Sequence, residues 1–122
     1  MREHVLKLLL SRICYTYHMS YKVVVYVPHD YADAVRDAIA SAGGGTLGKY
    51  THCTFTSMGV GRSKPMEGAN PHIGTIGQIE AISEERIEVT CDENVVGNVV
   101  AAIKRIHPYE EIAMDVYLLT DW

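Results

Sequence analysis

The chain has 122 residues, 48% of them hydrophobic and 21% charged, with a formal net charge of −4. That length allows one domain with a real core. The acidic balance excludes a broad nucleic-acid face, and the longest apolar runs are far too short to cross a bilayer as a helix.

Residues 1–19 differ in character from the rest. The apolar patch LLL at 8–10 is flanked by basic residues. It is shorter than a secretory h-region and lacks the small residues that end one. We read 1–19 as an extension with little fold content, 20–122 as the domain, and Met19 as its natural start; a cleaved leader is the alternative. Three cysteines, Cys14, Cys53 and Cys91, form no CxxC pair. They signal neither a structural zinc site nor a redox motif, and the odd count points to a reducing, cytoplasmic compartment.

YKVVVYVP at 21–28 is a run of β-branched and aromatic residues closed by Pro28, the pattern of a strand buried on most sides. HDYADAVRDAIASAGGG follows. Asp30 is the expected N-cap, Tyr31, Ala34, Val35, Ala38, Ile39 and Ala42 recur at helical spacing, and the three glycines end the helix in a left-handed cap. GKYTHCTFTSMG alternates with period two. It predicts a strand with Cys53 and Phe55 toward the core and Tyr50, His52 and Thr54 on the opposite face.

Residues 59–77 hold five glycines and two prolines in nineteen positions. Loops of this length inside a compact domain are usually functional or interfacial. QIEAISEERIEVTCD reads as a hairpin, with Ile79 and Ile82 in one arm and Ile87, Val89 and Cys91 in the other. A second helix is expected from Asp92 as N-cap through the stripe Val95, Val96, Val99, Val100, Ile103 and Ile106. Lys104 and Arg105 suit its last turn and Pro108 stops it. EIAMDVYLL gives a final strand. The order is β-α-β-β-α-β with an extra hairpin arm, a ferredoxin-like α+β pattern. With Tyr50, His52, Thr54 and Tyr26 on its open face, the sheet is expected to be covered there by another subunit.

Three stretches together, GKYTHCTFTSMGVG, KPMEGANPHIG and HPYEEIAMDVY, resemble the CutA-like, PII-like insert domain of the YqfO-type members of the NIF-three-like family. The resemblance covers residues 21–119. It implies a ferredoxin-like fold and self-association, as a homotrimer or else a dimer. In that family the flanking halves hold a two-metal site. Those halves are absent here, so the resemblance implies a freestanding copy of the insert without the dinuclear chemistry. One departure is Ile112, where the family commonly has proline after the two glutamates.

The turn HPYEE at 107–111 carries two readings. In one, His107 caps the second helix at its free carbonyls, Pro108 stops it, Tyr109 packs, and Glu110 accepts backbone hydrogen bonds. In the other, His107, Tyr109 and Glu110 line a polar pocket with His52. His52, His107 and Glu110 are ligand types suited to zinc or copper, and the same groups could serve a small ligand or anion. A His52–Cys53 metal pair is excluded for a strand, whose neighbours face opposite ways. Gly68, Asn70, Pro71 and Gly74 shape the long loop, which lacks the Gly-Lys-Ser/Thr ending of a Walker motif; Arg62 and Lys64 lie just before it. No nucleophile–base–orienter set is visible. The expectation is a homo-oligomeric binding or regulatory module, taking a metal ion or small ligand at a subunit interface or working with a NIF-three-like partner. A purely structural oligomerisation module ranks second and a stand-alone enzyme last.

Overall fold

The computed structural model describes residues 19–120, so the extension, but for Met19, lies outside the described residues. Strand β1 (Ser20–Pro28) leads through a 3₁₀ turn (His29–Tyr31) into helix α1 (Ala32–Ser41). Strands β2 (Phe55–Ser63) and β3 (Glu80–Asp92), helix α2 (Val96–Ile106) and strand β4 (Met114–Leu119) follow. The sheet order is β2-β3-β1-β4, with every neighbouring pair antiparallel. This is the ferredoxin-like α+β fold that the element order predicts.

The core follows from strand alternation. Val23, Val25 and Val27 of β1 and Ile87, Val89 and Cys91 of β3 meet Val35 and Ile39 of α1 and Val99 and Ile103 of α2. Each fully buried Val or Ile contributes about 1.5–3 kcal/mol. Val24 points the other way and is buried too, while its neighbours on that face, Lys22 and Tyr26, are half-buried. Helix α1 ends in a Schellman motif: Gly43 N–H donates to Ala40 O and Gly44 N–H to Ile39 O. The left-handed turn falls on Gly43, at φ 98°.

Four expectations need correction. First, β2 begins at Phe55, and Phe55 is 68% exposed rather than core. The segment before it folds on itself, with Leu47 and Tyr50 exchanging backbone hydrogen bonds and Cys53 N–H donating to Gly45 O. His52 then adopts φ 62°; one left-handed residue breaks the alternation that had paired Cys53 with Phe55. Tyr50, His52 and Thr54 therefore lie outside the sheet. Its open face instead alternates Lys22, Arg86, Glu88 and Asp115 with Val24, Tyr26, Phe55 and Tyr117, a more charged surface than expected.

Second, residues 80–92 form one strand, not a hairpin. The glutamate pair Glu84–Glu85 reads as a turn, but each carboxylate is held by a partner within the fold. An extra arm does exist, built differently. Residues 80–83 pair with β2 alone, because β1 stops at Pro28 opposite Glu84. Third, neither Asp30 nor Asp92 caps a helix; Tyr31 and Val95 hold those positions without a side-chain bond. Fourth, Ala34 is exposed and Ala32 takes its place on the buried face of α1.

Glu85 is 4% exposed on the helix-facing side of the sheet. One oxygen accepts from Arg36 Nη1 at 2.6 Å, and the other lies 2.6 Å from His29 Nδ1. Arg36 also donates to Thr56 and to Asp33, so one guanidinium ties α1 to β2 and β3. The Arg36 bonds hold the Glu85 carboxyl below the usual carboxylate range, against the opposing effect of burial.

Because the folded state binds the Glu85 proton more weakly than the unfolded chain, this contribution is complete above the ordinary carboxylate pKa. It is lost as pH falls through the lower folded value. Arg36→Met leaves a nearly buried carboxylate without its main partner and should cost roughly 2–4 kcal/mol at pH 7. Urea denaturation checks both points. Glu85→Gln should flatten the loss of stability below about pH 5, and an Arg36→Met protein as stable as wild type would contradict this account.

Candidate functional site

The register mismatch creates the site. Strand β3 runs four residues beyond β1, and β4 begins only at Met114, opposite Val25. The lane beside the exposed end of β3 is taken by the turn at 107–113 and roofed by the loop at 64–79. Between them lies a cleft of about 580 Å³, within the size range of small-molecule sites. Its floor is Tyr26, Ile82 and Glu84, and its roof includes Pro65, Met66, Ala69 and Pro71.

His107 anchors the turn. It is 7% exposed, and its Nε2–H donates to Tyr26 O at 2.7 Å. Its Nδ1 accepts the Tyr109 N–H at 3.1 Å. Those two bonds select the neutral Nε2–H tautomer and occupy both nitrogens. Burial pushes the His107 pKa down, more than its hydrogen bond to Tyr26 and the charge of Glu84 push it up. Tyr26 is the meeting point: its N–H donates to Ala113 O and its hydroxyl accepts from Arg86 Nη1 at 2.7 Å.

Tyr109 donates its hydroxyl to Glu84 Oε2 at 2.9 Å. Burial, then the neighbouring carboxylate, keep that phenol protonated well above the ordinary tyrosine range. The Glu84 carboxylate lies against Gly61, where a Cβ would collide with it. A larger residue at that point of β2 would displace the Glu84 carboxylate from the position it holds on the cleft floor.

The loop is closed at its base by Gly77 N–H to Pro65 O at 2.7 Å, and it is latched to the turn by Asn70 N–H to Glu110 Oε1 at 2.7 Å. His72 sits between two tyrosines. Its ring centroid is 5.5 Å from that of Tyr31, nearly perpendicular, and 6.3 Å from that of Tyr109. Gly68 and Gly74 both have positive φ, and Pro71 lines the cleft.

The structure therefore brings together His107, Tyr109, Glu110, Asn70 and Pro71. It does not bring His52 to them. His52 is exposed on the 46–54 segment with Nδ1 2.9 Å from Thr51 Oγ1, and it is absent from the cleft lining. Among the described residues no group of three or more His, Cys, Asp or Glu could hold a metal ion. Sequence reasoning missed Tyr31, His72 and Glu84. The available signal for Glu84 was the pair Glu84–Glu85 inside a strand, two carboxylates that must face opposite sides and each find a partner.

If the Glu110 bond latches the loop, Glu110→Ala should lower hydrogen-exchange protection at the Asn70 amide roughly 5–10-fold, the equivalent of about 1–1.4 kcal/mol. Protection of the β1 and β3 amides should stay unchanged. Equal exchange at Asn70 in both proteins would show that the loop is held some other way.

Comparisons with known proteins place this geometry. No model of a known protein family matches the chain. The GTP cyclohydrolase 1 type 2 homolog of Halalkalibacterium halodurans is 48% identical over 101 residues, covering 83% of this chain and 27% of that protein. A solved Bacillus cereus protein related to NIF3 superposes with a TM-score of 0.75 at 43% identity, covering 87% of this chain and 27% of that one. Divalent ion tolerance protein CutA1 of Ehrlichia chaffeensis has a TM-score of 0.57 at 15% identity, covering 88% and 87%. GlnK of B. subtilis, solved with ATP, has a TM-score of 0.53 at 14% identity, covering 83% and 82%. At those identities CutA1 and GlnK show a shared fold alone. The chain spans about a quarter of the length of the curated relatives it matches.

Proposed function

The chain is a NIF3-related small domain of CutA/PII-like fold, and from that premise we propose that it works as a homo-oligomeric binding module with its ligand site in the cleft at the end of the sheet. The observation that carries the reading is the cleft itself. Its walls come from β1, β2, β3, the long loop and the 107–113 turn, and two specific side-chain bonds, Tyr109 to Glu84 and Asn70 to Glu110, hold them in place. A turn serving only to stop a helix would need neither.

Self-association is supported by apolar side chains left in solvent at both edges of the sheet. Met58 and Val60 are exposed on β2, and Val116, Tyr117 and Leu118 on β4. Among the described residues β4 pairs with β1 alone and β2 with β3 alone. Exposed apolar edges of this kind are ordinarily covered by another chain. We favour a homotrimer, with a dimer as the alternative, and a regulatory rather than catalytic role.

A zinc or copper site from His52, His107 and Glu110 has less support, since His107 has both nitrogens engaged. Its support is the ligand types of the three residues, and His52 stands apart from the cleft lining.

Native mass spectrometry of the full chain, with and without zinc or copper, tests the module reading. The expected result is a metal-independent trimer that dissociates when Val116→Lys and Leu118→Lys are combined, with the circular dichroism of the fold retained. A monomer at all concentrations would overturn it. Uptake of about one metal per subunit, abolished by His107→Ala, would favour the metal site over the cleft.

A further inference from the structure

Strand register decides which side chains meet the cleft. Gly61 pairs with Ile82 and Arg62 with Ala81. Ile82 and Glu84 therefore stand on the face that carries Tyr26, and Arg62 is turned to the helix-facing side. The Glu84 carboxylate lies over Gly61, which adds no side chain of its own. That carboxylate is half-buried, and among the described residues it has no cationic partner. Arg86, its neighbour on the same face, is engaged by the Tyr26 hydroxyl and by Glu88. The one hydrogen bond to Glu84 comes from the neutral Tyr109 hydroxyl, and it takes Oε2. Oε1 makes none. Among the described residues no side-chain polar atom is both buried and unbonded, so Oε1 stays open to solvent on the cleft floor. Glu85 gives the contrast: the same group on the opposite face has both Arg36 and His29. Around Glu84 the lining is apolar, from Pro65, Met66, Pro71 and Ile82, and the turn beside β3 adds Glu110 and Glu111. With Arg62 turned away, Lys64 alone of the lining's Lys and Arg residues is left to offset three carboxylates.

We infer that the cleft takes an organic cation, a small molecule with an alkylammonium head and an apolar body. The ammonium donates to Glu84 Oε1, and the body lies along Pro65, Met66, Pro71 and Ile82. This rests on the cleft being a binding site and adds the class of ligand. A half-buried carboxylate is costly to desolvate further unless it is paired. A neutral or anionic body closing over Glu84 would bear that cost. An ammonium offsets it with a charge-assisted hydrogen bond to the oxygen that Tyr109 leaves open. Free alkylamines and the side chain of lysine share this chemistry.

The test is a ¹H–¹⁵N shift titration of the full chain at neutral pH with hexylammonium, hexanol, hexanoate, methylammonium and Nα-acetyl-lysine amide. Hexylammonium should shift the Gly61, Ala69 and Glu84 amides saturably. It should bind at least about ten-fold more tightly than hexanol, or 1.4 kcal/mol, with hexanoate weaker still. Methylammonium, which has the charge without the body, should also bind at least about ten-fold more weakly than hexylammonium. Glu84→Gln keeps an oxygen for the Tyr109 hydroxyl. It should erase the preference for hexylammonium over hexanol and leave hexanol binding unchanged. Gly61→Ala displaces the carboxylate without removing its charge and should reduce the same preference, whereas Glu111→Gln should keep most of it. Binding of Nα-acetyl-lysine amide as tight as that of hexylammonium identifies the ligand group as a lysine side chain; weaker binding identifies it as a free amine. Equal binding of hexylammonium and hexanol, tighter binding of hexanoate, or a preference that survives Glu84→Gln would overturn the inference and leave the cleft a binding site of another class. If none of the probes shifts the cleft amides at millimolar concentration, the binding reading beneath it falls as well.

Discussion

The hydrogen bond from His107 Nε2–H to the Tyr26 carbonyl is the contact on which the rest of the site depends. Tyr26 lies near the end of β1, where strand pairing is about to run out. Its N–H is taken by Ala113 and its hydroxyl by Arg86. Its carbonyl is taken by a side chain from the end of α2, so the imidazole does locally what the next strand would have done. That bond sets the direction of the chain after Pro108 and brings Tyr109 down beside β3, to Glu84. Without it the lane left open by β1 would have a free carbonyl at its head and no reason to form a cleft.

The fold places the site through a difference in strand length. Strand β3 has 13 residues and β1 has 9. The excess of β3 stays paired to β2, so one side of it is satisfied and the other is left for loop and turn. On the opposite face of the same stretch, Glu85 with Arg36 and His29 pins the sheet to α1 and the 3₁₀ turn. Two adjacent glutamates thus do different work: Glu85 fixes the scaffold and Glu84 helps floor the cleft. A buried ionic cluster stabilises little in net terms against an apolar replacement. Its effect here is positional, because no apolar side chain could hold α1, β2 and β3 through one group.

Much of the fold was legible in the sequence. The β-branched run of β1, the stripe of α2 and the three glycines after α1 each report a local rule that the tertiary structure leaves intact. Sequence reasoning failed where a local pattern was overruled. The alternation around Cys53 and Phe55 looked like a strand until His52, in the left-handed region, broke its parity. The glutamates of β3 looked like a turn because their partners, Arg36 and Tyr109, are 49 and 25 residues away. The HPYEE turn was found as a candidate, with Tyr109 and Glu110 in the cleft. The contacts of the exposed His72 ring with Tyr31 and Tyr109 depend on how the loop folds back, which no local pattern reports. His52 drew notice by residue type and stands apart for the same backbone reason that delays the start of β2 to Phe55.

The most direct test of the His107 anchor is the ¹⁵N signature of its ring followed from about pH 8 to pH 5, across the ordinary histidine range. Burial lowers its pKa, so the folded state disfavours the protonated form and this group costs stability as pH falls below the ordinary value of about 6.5. The expected result is a protonated Nε2 and an unprotonated, accepting Nδ1, with the titration midpoint displaced below that value. An Nδ1–H tautomer, or a midpoint at or above about 6.5, would contradict it. The imidazole would then be free of Tyr26 or Tyr109, the turn would not be fixed on β3, and the cleft would lose the contact that builds it.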